Sequence, residues 1–358
     1  AGIARAVMEL TGKAAPDGLK NLLTNVTVTD KHKAIAAQLN NAGKKTILLG
    51  NLAHCHPAFS TLRALAGFIA NAAGATLGYL TEGANSAGAW IAGAVPHRSA
   101  GGKEASASAL NARSMFESPL KAYLLLNIEP EYDCADPASA IRSLNNADFV
   151  VSLSPYRSST MAQYASVLLP ITPFSETSGT YVNAEGLWQS FAGAVKPLGE
   201  ARPAWKVLRV LGNFFGLDGF EYVSSNEVRD ELANTAAGLL PSNTVQWHDP
   251  VRLSGQNTGL TRIADVPIYA VDNIVRRAAS LQKADPAMNA GISVNEATAR
   301  RLGLDNARKI TAKQGTYQVM LSLSIDNRIP DDCVLLPMAI TASTGMGVHT
   351  GPIELGRG

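Results

Sequence analysis

The sequence predicts an α/β protein in which a mostly parallel sheet is covered by helices on both faces, followed by a compact β domain. Short apolar runs alternate with helical patterns through the first half, and a period-two pattern replaces them near the C-terminus. The 358 residues suffice for two or three domains with separate cores. We predict an α/β domain over residues 1–190, an irregular or helical connection over 191–266 and a β domain over 267–358.

The first hundred residues show helix and strand signals in alternation. "DKHKAIAAQLNNAG" predicts a helix closed by Gly43, and "KTILLG" predicts a short buried strand ending at Gly50. Pro57 suits the first turn of the next helix. Its apolar face is predicted to hold Phe59, Leu62, Leu65, Ile69 and Ala73, and "ATLGYL" predicts the following strand.

Three further strands are predicted before residue 171. They are "KAYLLLNIEP", "DFVVSLS" and "SVLLP", separated by a helix around Pro137 to Asn145 and a polar helix near Ser158 to Tyr164. Strand and helix alternating at this spacing favour a parallel sheet.

The pattern changes in the rest of the chain. "AWKVLRVLGNFFG" predicts an amphipathic helix, and "LPSNTVQWHDP" and "RLSGQNTG" are typical of surface connections. "SVNEATARRLGL" predicts a helix with a capping box between Ser293 and Glu296 and an end at Gly303. "RKITAKQG", "TYQVMLSLSID" and "CVLLPMA" predict strands, so the C-terminal part is a β domain with one inserted helix.

Composition excludes several classes of function. The 31 basic and 29 acidic residues nearly balance, and no Lys/Arg run exceeds two, so no nucleic-acid partner is expected. Three scattered cysteines, Cys55, Cys134 and Cys333, favour a reducing compartment over a disulfide framework. The most apolar stretch, 61–80, is interrupted by polar residues, which favours a buried helix and strand over membrane insertion. The first residue is alanine and not methionine, which suggests an excised piece of a longer chain.

Known catalytic motifs are missing from the sequence. "NLAHCHP" places His54, Cys55 and His56 in a row, but three consecutive residues converge poorly on one metal ion, so no metal site is predicted. This loop follows a strand and precedes a helix, where anions commonly bind, yet no G-x-G-x-x-G accompanies it. The glycine-rich runs "EGANSAGAW" and "GMGVHTG" are more typical of tight turns than of ligand cradles.

The segment "FSETSGTYVNAEGLWQ" concentrates hydrogen-bonding groups after the last predicted parallel strand. We expect Glu176 to accept bonds from backbone amides of a turn at residues 178–180, with Gly179 supplying a positive φ. Asn183 is expected to accept in the same way in the next turn. The favoured interpretation is a structural set of hydrogen bonds that holds the loop following the sheet, which we call the polar clasp. A ligand-binding site stays open as the alternative.

The run "MAQYASVLLPITPFSETSGTYVNAEGLWQ" resembles the corresponding run of molybdopterin-type oxidoreductases. "EGANSAGAWIAGAVPHR", "KPLGEARPAWKVLRVLGNFFG" and "VPIYAVDNIVRRAASLQK" resemble one branch, the large iron–sulfur subunit of bacterial NADH:quinone oxidoreductase (respiratory complex I). The resemblance implies a Rossmann-like α/β region and a C-terminal double-psi β-barrel. It also implies vestigial cofactor-binding positions, and the candidates are Asn127, Glu176, Gly179, Thr180 and Asn183.

Three positions depart from the family pattern. Ser166 replaces an aspartate, Leu187 replaces an arginine, and Asp305-Asn306-Ala307 replaces a Gly-Asp turn. These departures weaken the case for pterin binding, because leucine lacks the donor fork that arginine offers to a phosphate.

The resemblance implies a structural piece of the complex's peripheral arm that is non-catalytic in isolation. Its expected partners are other peripheral-arm subunits, on the cytoplasmic side of the bacterial inner membrane. The [2Fe–2S] and [4Fe–4S] clusters are expected in a more N-terminal region of the full subunit, and no cofactor is expected here. Two alternatives stay open: a remnant of an active, formate dehydrogenase-like molybdopterin enzyme, and a small-molecule or nucleotide-binding module at the strand ends near Gly50 and Asn127.

Overall fold

The computed structural model describes residues 1–107, 109–239, 242–245, 259–284 and 291–357. The chain divides into two compact units. The first comprises Ala1–Gly83 with residues 242–245, and the second comprises Ala84–Leu239 and the chain from Gly259 onward. The predicted domain boundaries near residues 190 and 266 stay predictions.

The first unit packs helices around a two-stranded parallel sheet. Its core is built from apolar residues of the helices, including Val7, Leu19, Leu23 and Phe68. The sheet pairs Thr46 with Thr76 and Leu49 with Tyr79. Its elements are α1 (Gly2–Thr11), α2 (Asp17–Thr24), α3 (Asp30–Asn41), β1 (Thr46–Leu49), α4 (Asn51–His54), α5 (Phe59–Ala73) and β2 (Thr76–Tyr79).

Two local predictions for this unit are wrong. Helix α3 ends at Asn41 with an extended C-cap residue, Ala42, and not at a left-handed Gly43. Strand β1 is only half-buried, because Ile47 and Leu49 contact the small cluster around Leu77 while Leu48 is 54% exposed. The expected buried helix followed by a strand over 61–80 is confirmed by α5 and β2. Among the described residues, no helix combines the length and apolarity needed to cross a membrane.

The α/β part of the second unit is built on a three-stranded parallel sheet in the order β5-β6-β7. Tyr123 and Leu125 from β5 and Val150 from β6 pack against Leu144 and Met161 of the crossover helices. The elements are α6 (Ser86–Ala92), β3 (Arg98–Ser99), β4 (Lys103–Glu104), α7 (Ala112–Glu117), β5 (Ala122–Leu126), α8 (Pro130–Asp133), α9 (Pro137–Asn145), β6 (Phe149–Ser154), α10 (Met161–Tyr164), β7 (Val167–Pro170), β8 (Gly179–Val182), β9 (Trp188–Phe191), α11 (Ala204–Phe214) and α12 (Ser225–Thr235).

The parallel strands differ from the prediction in their grouping. They form two separate parallel sheets, β1-β2 and β5-β6-β7, instead of one. The apolar core of the second sheet lies on the face that carries Tyr123. On the opposite face Leu124, Leu126 and Phe149 are 54%, 42% and 48% exposed, so the described residues do not provide the predicted cover on both faces.

The C-terminal part of the second unit is a nearly closed, barrel-like sheet of seven strands. Their order is β15-β10-β14-β11-β13-β12-β16, and only Ile353 separates the two edge strands along the chain. The interior holds Ile292, Ile310, Val334 and Leu336. The elements are β10 (Thr261–Ile263), β11 (Ile292–Val294), α13 (Glu296–Arg301), β12 (Lys309–Gln314), β13 (Tyr317–Ile325), β14 (Cys333–Leu335), β15 (Gly351–Pro352) and β16 (Glu354–Arg357).

The prediction of a β domain with one inserted helix is confirmed. Gly303 ends the helix region with φ 65°, as expected. The predicted cap is wrong, because Asn295 Oδ1 accepts the Thr298 amide at 2.8 Å, whereas Ser293 lies on β11. The predicted connections "LPSNTVQWHDP" and "RLSGQNTG" fall mostly outside the described residues.

Candidate functional site

The candidate site lies at the carboxyl ends of β5 and β6, the edge of a parallel sheet where α/β proteins usually bind ligands. Strand β5 ends at Leu126, and Asn127 follows in the left-handed region with φ 53°, which asparagine tolerates better than most residues. The Asn127 amide donates to the Leu153 carbonyl at 2.8 Å, which keeps this turn against the end of β6. The backbone then enters α8, which starts at Pro130.

Glu129, in the turn between β5 and α8, is fully buried at these strand ends. Arg276 Nη1 donates to its Oε2 at 2.9 Å. Arg277 donates from Nη2 to Oε1 at 2.5 Å and from Nη1 to Oε2 at 3.1 Å. Arg276 also pairs with Asp133. We call Glu129, Asp133, Arg276 and Arg277 the crevice network.

A tight turn holds the two arginines in place. Asp272 Oδ1 accepts the amides of Ile274 at 2.9 Å and Val275 at 2.7 Å, which shapes the Val275–Arg277 turn. Asn273 Nδ2 donates to Asn127 Oδ1 at 2.8 Å and ties the turn directly to the end of β5. The arginines are therefore anchored at both their backbone and their guanidinium ends.

Two tyrosine rings also contact the guanidinium groups. Arg276 lies 4.9 Å from the centre of the Tyr132 ring, and Arg277 lies 4.4 Å from that of Tyr156. Such cation–π contacts add to charge pairing. The side chains of the 273–277 turn thus occupy the strand-end crevice.

The two buried glutamates near the crevice, Glu129 and Glu131, differ in the charges around them. Burial alone raises the pKa of Glu129, but hydrogen bonds and charge from Arg277 and Arg276 outweigh it and lower that pKa overall. Glu131, only 3% exposed, has no such cation, and burial followed by repulsion from Glu129 raises its pKa. One Glu131 oxygen meets Ser158 Oγ at 3.3 Å, whereas its Oε2 has no partner among the described residues.

Neighbouring groups share this low-dielectric environment. Burial, then repulsion from Asp133 and Glu131, raises the pKa of the Cys134 thiol to about 12, which makes it a poor nucleophile. Burial also raises the pKa of Tyr164, whose hydroxyl has no partner in the described part of the chain. The crevice network is therefore charge-balanced around the buried Glu129.

Of the predicted site residues, only Asn127 lies at the strand ends. Glu176 precedes the β8–β9 hairpin, and Gly179, Thr180 and Asn183 lie on it. Thr180 Oγ1 meets Ser190 Oγ across the hairpin at 2.9 Å. These contacts fit the polar clasp that the sequence favours.

The details of the clasp differ from the expectation. Glu176 Oε2 accepts the amide of Leu198 at 3.0 Å and not those of residues 178–180. Gly179 does not have a positive φ; it pairs with Phe191 in the hairpin, and Gly186 takes the left-handed position with φ 83°. The prediction for Asn183 is confirmed, because its Oδ1 accepts the amides of Glu185 at 3.0 Å and Leu187 at 2.9 Å.

Two of the positions that depart from the family pattern, and the two glycine-rich runs, have the following environments. Ser166 Oγ accepts the Val150 amide at 3.0 Å, and Leu187 is 57% exposed. The loop "EGANSAGAW" forms the start of α6, where Asn85 Oδ1 accepts the Val182 amide at 2.8 Å. In "GMGVHTG", the Gly347 carbonyl accepts from buried Arg262 at 3.3 Å. The described residues include no group of three or more His, Cys, Asp or Glu residues that could hold a metal ion.

The sequence interpretation missed Glu129, Arg276 and Arg277. Glu129 lies in "NIEPEYD", an acid-rich run directly after a strand, which could have marked it as a strand-end group. The Arg-Arg pair in "VDNIVRRAAS" is a double charge with two apolar residues on either side. The partnership between them spans 148 residues and leaves no local pattern.

Comparisons with known proteins show a family for part of the chain. A family model described as molybdopterin oxidoreductase matches residues 12–214. A putative formate dehydrogenase of Staphylococcus aureus (strain bovine RF122 / ET3-1) is 36% identical over 121 residues, covering 32% of this chain and 12% of the relative. A putative formate dehydrogenase of Staphylococcus haemolyticus is 32% identical over 117 residues, covering 29% of this chain and 11% of the relative.

A solved structure, acetylene hydratase from Pelobacter acetylenicus, has a similar fold. The TM-score is 0.54 at 16% identity, over 77% of this chain and 51% of that protein. The matched segments span about a ninth of the curated relatives and half of the solved structure.

Proposed function

Because the chain belongs to the molybdopterin oxidoreductase family, we propose that it is a structural part of a respiratory NADH:quinone oxidoreductase that supports electron transfer without holding a redox centre itself. The observation that carries the proposal is the filled crevice at the ends of β5 and β6. Glu129 is buried there with Arg276 and Arg277, so these charged groups of the crevice network are already paired with each other.

The described residues do not fit the pterin nucleotide that the family implies. A nucleotide brings phosphate charge, and phosphate at a strand-end crevice needs free amides or cations. Here both guanidinium groups bind the Glu129 carboxylate, and Asn127 binds Asn273. A bound phosphate would have to displace a buried carboxylate, and that carboxylate would repel it.

The segment that fills the crevice also supports the choice of complex. Arg276 and Arg277 belong to "VPIYAVDNIVRRAASLQK", one of the runs that resemble the large iron–sulfur subunit of NADH:quinone oxidoreductase. A run that closes an inherited crevice is expected in a branch that has lost the cofactor. In this proposal the partners are other peripheral-arm subunits on the cytoplasmic side of the inner membrane, and iron–sulfur clusters belong to another region of the full subunit.

A formate dehydrogenase-like enzyme is the second candidate. The names of the similar Staphylococcus proteins favour it, although the matched residues cover only 12% and 11% of those proteins. The closed crevice argues against it, since such an enzyme needs its cofactor site open.

Affinity purification from the native membrane in mild detergent distinguishes the two candidates. We expect the tagged protein to co-purify with NADH-dependent quinone reduction, and an untagged strain to give none. Formate-dependent dye reduction in the same eluate, without NADH-dependent quinone reduction, would replace the proposal with the second candidate.

A further inference from the structure

The carboxyl group of Glu131, on α8, is buried beside the crevice network. Glu131 is 3% exposed, and Ser158 Oγ donates to its Oε1 at 3.3 Å. Its Oε2 has no partner among the described residues, and the same holds for the hydroxyl of Tyr164 on α10, which is 6% exposed. A buried carboxylate that lacks a cation is far more costly than the neutral acid, so such a group normally keeps its proton.

The cations of the crevice are already paired with other carboxylates. Arg276 and Arg277 bind Glu129, and Arg276 also pairs with Asp133. Burial and then repulsion from these two carboxylates raise the pKa of Glu131, which outweighs the hydrogen bonds that its carboxyl group accepts. The local charges therefore favour a neutral, protonated Glu131 over a third anion at this turn.

The other titratable groups around this carboxyl group, as far as the structure describes them, leave it uncompensated. Cys134 and, on α10, Tyr164 stay neutral between pH 5 and 8, because burial raises the pKa of both groups. Asp136 and Arg142 make side-chain hydrogen bonds to α9 itself. Arg157, in the loop before α10, is exposed. The charge at this position is therefore set by whether the carboxyl group holds its proton.

Helix α8 is a single turn held at both ends. Before it, Glu129 is fixed by the two arginines of the crevice network. After it, the amide and the ring Nδ1 of His349 each lie 3.1 Å from the Ala135 carbonyl oxygen. Two amides of the turn donate to the Glu129 carbonyl at 2.8 Å. Residues 130–134 are therefore a short segment whose backbone hydrogen bonds can break while both ends stay in place.

We propose that Glu131 is a proton-binding site that closes the α8 turn over the crevice network and opens it when the proton leaves. With the proton on the carboxyl group, the side chain is neutral and stays buried. When the proton passes to a base in the solvent, the carboxylate regains its hydration only if the turn opens.

Opening of the turn reaches the crevice through Asp133. Its Oδ2 accepts the Glu129 amide at 2.7 Å, and its other oxygen pairs with Arg276. When the turn opens, Arg276 loses this partner and keeps only Glu129. The crevice network is therefore complete while Glu131 is protonated and loosens as pH rises, whichever complex the protein belongs to.

Hydrogen–deuterium exchange of the purified full-length protein tests the switch. We expect the amides of α8 and of the Val275–Arg277 turn to lose protection as pH rises, after correction for the intrinsic exchange rate. The loss should reach about tenfold for each pH unit between 4.5, the ordinary pKa of Glu131, and its raised value, and then level off.

Two variants show whether Glu131 is the group responsible. Glu131→Gln, which stays neutral, should keep both segments protected at every pH, and Glu185→Gln, at an exposed glutamate, should behave as wild type. Any effect of His349 is present in all three proteins and cancels. The inference is overturned if wild type and Glu131→Gln lose protection alike, or if α8 opens while the Val275–Arg277 turn keeps its protection.

Infrared spectroscopy detects the proton in the wild-type protein itself. A protonated carboxyl group has a carbonyl band that an ionised one lacks. We expect this band to persist just above pH 5, to fade as pH rises further, and to be missing from Glu131→Gln. A wild-type spectrum without it, or the same band in Glu131→Gln, would show that Glu131 is ionised in the closed turn and would overturn the inference.

Discussion

Replacing Glu129 with alanine tests whether the crevice network holds the second unit together. Glu129 is fully buried and accepts three charge-assisted hydrogen bonds, one from Arg276 and two from Arg277. The variant leaves two guanidinium groups facing each other around a cavity, with only Asp133 still paired to one of them. Breaking a buried ion pair on one side typically costs about 3–5 kcal/mol, most of it the penalty of the uncompensated charge.

This loss of unfolding free energy corresponds to a measurable decrease in Tm. For a domain of 150–250 residues each kcal/mol lowers the Tm by about 2–4 °C, so Glu129→Ala should lower it by roughly 6–20 °C. Differential scanning calorimetry on the purified protein gives the value for the transition of this unit. Glu185→Ala, at an exposed glutamate of the β8–β9 turn, is the control and should change stability by less than about 0.5 kcal/mol. A Glu129→Ala shift no larger than this control would refute a closed, buried network.

The pH dependence of stability tests the same interaction of Glu129 with Arg276 and Arg277. The pKa of Glu129 is lowered below its ordinary value of 4.5 in the folded protein. Its contribution to stability is therefore present above pH 4.5 and is lost as pH falls through the folded pKa. The stability difference between wild type and Glu129→Gln should shrink in acid, and a constant difference down to pH 3 would contradict the assignment.

Three further predictions concern single residues. Glu131 has a raised pKa, so its stabilising contribution is present below its ordinary value of 4.5 and falls as pH rises. Glu131→Gln should therefore gain stability relative to wild type as pH rises above 4.5, and a pH-independent difference would contradict this. Arg262 is 1% exposed and donates to three carbonyls and Gln314, so Arg262→Met should cost at least about 3 kcal/mol by denaturant unfolding, against almost nothing for exposed Arg328→Met. Asn183→Ala should cost about 1–2 kcal/mol while Asn183→Asp retains most of the stability, and equal thermal shifts would remove its capping role.

The elements set by local pattern could be predicted from the sequence. The helix at Pro137–Asn145 and the strands β6 and β13 follow from apolar spacing and a proline at the helix start, all within a few residues. The grouping of strands into sheets depends on contacts between distant segments. The exposed face of β5 and β6 could not be predicted, because apolar alternation shows that a face is apolar but not what covers it.

The candidate site was less predictable for the same reason. Asn183 accepts from backbone amides two and four residues away, so its role follows from the local sequence. Gly179 and Gly186 look alike in the sequence, and the hairpin register alone decides that Gly186 lies in the left-handed position. Glu129 contacts Arg276 and Arg277, which lie 147 and 148 residues further along the chain, so no local sequence pattern links them.

The molybdenum, tungsten and pterin content of the purified protein tests the central claim most directly. Elemental analysis gives the metals, and fluorescence of oxidised pterin released by denaturation gives the cofactor. Because Glu129, Arg276 and Arg277 fill the strand-end crevice, we predict background levels of all three. A stoichiometric amount of either metal together with pterin would contradict the structural role and show that the crevice network opens to admit the family's cofactor.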